Sequence, residues 1–209
     1  MKTLIAVPCM DQVPAQFAQC LATLQKVDHC VVAFQIGSLI YAARNDLAGI
    51  AIQQEADYIL WLDSDMVFGS DILIRMLKVL QSGAGDIVTG LYFRRVAPFT
   101  PVIYDKMEQT EEGTIYTEFE EIPNEIFEVG GCGFGCVLMP TSICMDMLAK
   151  CGTCFDPIGG TGEDLAFCIR AKELGYKIVC DPTFPLGHVG HHVITRDFWE
   201  NYKIIKKQQ

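Results

Sequence analysis

The sequence predicts an α/β protein, with a mostly parallel twisted sheet flanked by helices and a small antiparallel β insertion. Two patterns carry that expectation. Through residues 1–95 short apolar runs alternate with segments of helical periodicity, and Tyr58 to Leu62 is apolar throughout, as a strand is when helices cover both sheet faces. From Thr100 to Val129 the alternation lapses, and short β-like pieces are joined by a Glu-rich segment.

Taken in order, Thr3 to Val7 is an apolar run closed by Pro8, a buried first strand leaving its sheet. Pro14 to Gln25 reads as a helix and Cys30 to Phe34 as a strand; Leu39 to Gln54 has helical spacing through Leu39, Ile40, Ala43, Leu47 and Ile50. The strand Tyr58 to Leu62 runs directly into Asp63-Ser64-Asp65. Ser70 or Asp71 starts a helix to Leu80, stopped by Gly83 and Gly85, before a strand from Ile87 to Phe93. The insertion is expected to use Val102 to Tyr104, Thr114 to Phe119 and Ile126 to Val129. Gly130, Gly131, Gly133 and Gly135 lead into a strand at Cys136 to Met139, a helix at Ser142 to Lys150 and a glycine-rich loop from Cys151 to Gly162. A helix from Thr161 to Leu174, a strand at Lys177 to Cys180, a last short strand at Phe184 to Leu186 and a helix at Asp197 to Lys206 complete the chain.

The composition fixes the class of protein. With 209 residues, half of them hydrophobic and a fifth charged, the chain supports one sizeable core and is neither disordered, collagenous nor coiled-coil. One domain over 1–209 is expected, its strand–helix alternation through 1–95 being the nucleotide-handling architecture and 96–209 its second half. A formal charge of −10 gives no bulk attraction to a polyanion, so nucleic acid is not an expected partner. The longest apolar stretch, Cys30 to Ala43, is interrupted and falls short of the roughly 20 residues of a membrane span. The opening run ends too early for a secretory leader, so a cytoplasmic protein is expected, its ten cysteines mostly buried thiols.

Several residues point to chemistry. Asp63 and Asp65 stand where a buried strand emerges, and in an open α/β sheet that place is the ligand crevice, where paired carboxylates suit Mg²⁺ or Mn²⁺. A solvated turn is the ordinary alternative. Arg44 lies in an otherwise apolar helical stretch, where a charge needs an anionic partner, whether a ligand or a structural carboxylate, or an exit to solvent. Glu163 and Asp164 open a helix, where Thr161 and Asp164 also fit a capping box. His188 is flanked by Gly187 and Gly190 and followed by His191 and His192, a cluster suited to metal ligation or to a solvated loop. Cys132, Cys136, Cys151 and Cys154 together would make a four-thiolate zinc site, though Cys136 heads an apolar strand pattern. Lys203, Lys206 and Lys207 fit a solvated helix end, or an anionic membrane or partner.

Ala43-Arg44-Asn45, the segment Ala56 to Met66, Gly162-Glu163-Asp164 and Gly187-His188-Val189-Gly190 resemble, in order and spacing, the GT-A glycosyltransferases of the family-2-like group. The stretch from Arg44 to Ser70 also resembles Anp1-type mannosyltransferases. The resemblance implies a GT-A fold and a metal-dependent transferase that moves a sugar from a UDP- or GDP-linked donor to an acceptor hydroxyl on a glycan, lipid-linked group, protein or nucleobase. It gives Asp65 and His188 to the metal, which makes 96–209 the acceptor and metal-completing half, and it leaves open whether His191 or His192 replaces His188. Asp63 goes to the ribose or a metal-bound water, and Pro8 to the base. Arg44 goes to the base or phosphates, and the loop with Gly131 to the donor sugar. Asp164, beside Glu163, becomes the general base of an inverting reaction. A nucleotidyltransferase carries a glycine-rich loop with Arg after its first strand, where this chain has Val7-Pro8-Cys9-Met10-Asp11. A non-catalytic nucleotide-sugar or zinc-binding module is the third reading.

Overall fold

The structure is a computed structural model and describes residues 1–37, 39–110, 113–190 and 192–207. The chain opens with β1 (Thr3–Cys9), α1 (Ala15–Thr23), β2 (Cys30–Ile36), α2 (Ile40–Gln53), β3 (Tyr58–Leu62), β4 (Met66–Val67), α3 (Ile72–Gln81) and β5 (Ile87–Gly90). Five short strands follow, β6 (Ile103–Tyr104), β7 (Lys106–Thr110), β8 (Gly113–Thr117), β9 (Phe127–Glu128) and β10 (Gly131–Cys132). The remainder is β11 (Cys136–Pro140), α4 (Thr141–Cys151), α5 (Glu163–Glu173), β12 (Ile178–Asp181), β13 (Gly187–Val189), β14 (Val193–Ile194) and α6 (Arg196–Lys207).

The main sheet has seven strands in the order β2-β1-β3-β11-β5-β12-β9. β1 is parallel to β2 and β3, and β12 is parallel to β5, but β11 is antiparallel to both β3 and β5. An element from the second half of the chain thus lies between two strands of the first.

The period of two along β3 builds the core on both sides. Ile59 and Trp61 face the layer containing Leu47 of α2, Met147 of α4 and Phe167 of α5. Leu60 and Leu62 face Phe17 of α1 and Met76 of α3. Trp61, Phe134, Phe155 and Phe167 interlock in edge and stacked contacts with centroids 4.8–6.0 Å apart, each such pair adding about 0.5–1.5 kcal/mol beyond burial.

Three stretches depart from the sequence expectation. The strand begun at Ile87 ends at Gly90, where Leu186 crosses so closely that a Cβ would stand 2.3 Å from its Cδ1. Phe184 to Leu186 is no strand: its apolar side chains are buried by packing, the Leu186 N–H donates to the Phe184 carbonyl, and pairing starts at β13. In the insertion, β8 pairs with β7 as a separate hairpin, while β6 pairs with β10 and β9 extends the main sheet beside β12. Among the described residues no helix is long and apolar enough to cross a membrane.

Candidate active site

A cleft of about 310 Å³ opens beyond the carboxyl ends of β1 and β3, and Pro8, Arg44, Asp63, Asp65, Glu163 and Asp164 reach its wall. Asp63 and Asp65 sit in the tight turn from β3 to β4, closed by the Met66 N–H donating to the Asp63 carbonyl. The turn and the ligand-crevice readings of this motif therefore describe the same place.

β13 pairs with β4 and brings His188 beside Met66. His188 Nε2 is 3.2 Å from Asp65 Oδ2, and the Val189 N–H donates to the Asp65 carbonyl. His188 Nδ1 lies 2.9 Å from the Phe93 carbonyl, which only accepts, so this nitrogen carries a proton and Nε2 is turned to the carboxylate. Arg95 Nη1 contacts the same Asp65 oxygen at 2.6 Å. Burial opposes the Asp65 charge, but His188 and Arg95 hold its carboxyl below the usual range. Burial likewise opposes a charged His188, and Asp65 raises its pKa above the ordinary value.

Arg44 enters from α2 and is 2% exposed. Its Nη2 donates to Asp63 Oδ1 at 2.7 Å and its Nε to Glu163 Oε1 at 3.4 Å, while the guanidinium carbon is 5.3 Å from the Phe134 ring centroid. Burial works against its charge, and the two carboxylates outweigh that to keep it protonated. Arg44 therefore has two of the protein's own carboxylates as anionic partners while its side chain also reaches the cleft wall. Next to it, Asn45 donates to Asp156 and accepts from the Phe155 N–H, tying α2 to the loop before α5.

That loop delivers Glu163 and Asp164. The cap of α5 is Gly162, with no side-chain cap bond, and the Thr161 hydroxyl instead meets that of Thr114 at 2.5 Å, so no capping box forms. Asp164 Oδ1 accepts the Leu165 N–H at 2.8 Å. Burial and neighbouring Glu163 push its carboxyl up to about 6, a value suited to a base near neutral pH. Asp164 also lines a second cavity of about 630 Å³.

Other expected residues are not brought to the cleft. Gly131 lies in β10, where a Cβ would meet Met107 Sδ at 2.5 Å, and Gly133 and Gly135 make room for Tyr92. The glycine loop is packed beneath the hairpin and Tyr92, and Phe134 is its member at the cleft. His192 is exposed, its ring stacked on Phe198; His191 and the Lys207 side chain lie outside the described residues. All ten cysteines are free: Cys132 packs on Cys168, Cys136 on Met76 and Cys154 on Cys144, while Cys151 is exposed. Burial raises the Cys136 thiol pKa far above its ordinary value, which disfavours the thiolate a zinc site needs. Among the described residues no group of three or more His, Cys, Asp or Glu side chains is arranged to hold a metal ion. Sequence reasoning missed Tyr92 and Arg95, both of which line the cleft. Neither stands in a motif, and the only signal was the apolar run that ends just before Arg94.

No protein-family profile and no curated protein matches the chain. Solved structures do. The crystal structure of A197 from STIV superposes with a TM-score of 0.68 at 18% identity, covering 93% of this chain and 94% of that one. The crystal structure of GalNAc-T7 with UDP, GalNAc and Mn²⁺ gives a TM-score of 0.59 at 9% identity over 90% of this chain, which spans 43% of that protein. The chain has a GT-A-like fold. Within this GT-A sheet the cleft lies where α/β folds bind ligands, beyond the strand ends, and the loops after β3 and before α5 furnish its carboxylates.

Proposed function

We propose that the chain is a glycosyltransferase moving a sugar from a UDP- or GDP-linked donor to an acceptor hydroxyl, with inversion at the anomeric carbon. The observation that carries this reading is the convergence on one cleft of Asp63, Asp65 and Asp164, with His188 against Asp65. The complex of UDP, GalNAc and Mn²⁺ named for GalNAc-T7 supports the donor class, and the Anp1-like segment from Arg44 keeps GDP beside UDP. The free thiols are consistent with a reducing, cytoplasmic setting. Residues 1–95 supply the donor wall and 96–209 supply His188 and the base.

The site fits Mn²⁺ or Mg²⁺. An oxygen and an imidazole nitrogen 3.2 Å apart have the separation of adjacent ligands each about 2.1 Å from one ion, and His188 is oriented by its Phe93 contact. Two protein ligands match a cation that fills the rest of its shell with water and substrate phosphates. Bound there, it would neutralise the departing diphosphate. Asp63, with one oxygen on Arg44, orients the ribose or a metal-held water. Asp164 accepts the proton of the acceptor hydroxyl as that oxygen attacks.

Calorimetry with UDP and GDP tests the reading. Binding is expected to be about tenfold or more tighter in Mn²⁺ than in EDTA, and Asp65→Ala to lose that gain. Equal affinities in all three conditions would remove the metal role. Arg95, half-exposed on the Asp65 oxygen, competes with the cation; Arg95→Ala is expected to tighten Mn²⁺ itself by about 2- to 5-fold, in line with a partly exposed ion pair, and unchanged Mn²⁺ affinity would show the pair to be incidental.

A further inference from the structure

We propose that the acceptor is a neutral saccharide seated in the second cavity, between the β7–β8 hairpin and the loop before α5; this rests on the transferase reading. The cavity holds about 630 Å³ and shares Asp164 with the donor cleft, so a hydroxyl placed at its floor stands beside the proposed base. Its wall has the chemistry of sugar recognition. Tyr104 and Tyr116 are in contact, ring centroids 4.5 Å apart, and Tyr116 is 44% exposed, leaving an aromatic surface open on the cavity. A pyranose has an apolar face of C–H groups that packs on such a ring, and a rim of hydroxyls that needs partners able both to donate and to accept. Thr114 and Thr161 place two such hydroxyls on the wall, one from the hairpin and one from the loop before α5, bonded to each other.

Charge argues against a phosphate-bearing acceptor. Among the described lining residues Arg94 is the one cation, and it donates to Tyr104 Oη at 3.1 Å. Asp164 lines the same cavity, so a phosphate-bearing lipid acceptor finds one engaged guanidinium and a carboxylate.

Saturation-transfer NMR tests the assignment with maltose, cellobiose, lactose and N,N′-diacetylchitobiose as probes, beside a Ser/Thr peptide and a short polyprenyl phosphate. At least one disaccharide is expected to bind, with affinity reduced about 5- to 10-fold or more in Tyr116→Ala and retained in Tyr116→Phe. Silence from all the disaccharides, binding indifferent to Tyr116→Ala, or Tyr116-dependent binding of the peptide or the prenyl phosphate instead would overturn it. The same samples are titrated with UDP and GDP in Mn²⁺. Nucleotide binding with silent saccharides sinks the acceptor assignment alone. Tyr116-dependent saccharide binding without nucleotide binding upholds the saccharide site and removes the transferase reading.

Discussion

Asp164→Asn is expected to lower turnover by about 100-fold or more and, at neutral pH, to raise the melting temperature. Both effects come from one property. The carboxyl sits at about 6 rather than at its ordinary 3.8 because burial and Glu163 disfavour its charge. A group whose folded pKa exceeds its unfolded value holds its proton more tightly in the native state, so stability falls as pH rises from about 4 to about 6. Above that window the native protein carries an unfavourable buried charge, which asparagine lacks while still accepting the Leu165 N–H. At about 1.4 kcal/mol for each pH unit, discounted for a side chain partly open to two cavities, the variant gains about 1–2 kcal/mol, or about 2–8 °C. The gap between variant and wild type should open between pH 4 and 6, and wild-type kcat/KM should rise through about pH 6 to a plateau. A variant that loses activity and stability together would show Asp164 to be structural. Product configuration, read by NMR, is an independent check: retention of the donor's anomeric configuration would sink inversion even with Asp164 essential.

How far this site was legible in the sequence depended on whether its residues are placed by local pattern or by tertiary contact. Asp63 and Asp65 were legible because an apolar strand must end at its first carboxylates, and Tyr58 to Leu62 is the strand observed. The direction of β11 was not, since Cys136 to Pro140 is buried on both faces and a continuous apolar run has no polarity; its antiparallel course is visible only in its pairing with β3 and β5. β7 was invisible for the opposite reason: Lys-Met-Glu-Gln-Thr is almost wholly exposed, so no face is selected and no alternation is written into it. His188 was expected just after a strand and lies within one, because Phe184 to Leu186 is apolar through packing rather than pairing. Arg95 reaches Asp65 across 30 residues from an exposed segment, a contact that composition and spacing do not encode.

Arg44→Met is expected to destabilise the protein by about 3 kcal/mol, at the lower end of the range for breaking a buried ion pair. Methionine replaces much of the stem but none of the charge, and three costs follow. Asp63 and Glu163, with side chains 30% and 17% exposed, lose the cation between them and repel each other. The aromatic cluster of Trp61, Phe134 and Phe155 loses a guanidinium within 5.3–5.9 Å of each ring centroid. Glu163 opens α5 immediately before Asp164, so releasing it loosens the proposed base as well as the fold. Partial exposure of Asp63 lets water recover some of the loss, which is why the lower end applies. Arg44→Lys should fall between wild type and Arg44→Met, since a point charge restores the cation but not the fork that reaches both carboxylates. Adding Glu163→Gln to Arg44→Met should recover part of the loss, because it removes one of the two stranded charges. Denaturant unfolding of the four proteins reads all of this at once. If Arg44→Met lies within 1 kcal/mol of wild type while nucleotide binding is abolished, the guanidinium serves the donor directly and the carboxylate contacts are secondary. A loss near 3 kcal/mol that Glu163→Gln partly repairs makes Arg44 the residue that holds the two carboxylate-bearing loops in register.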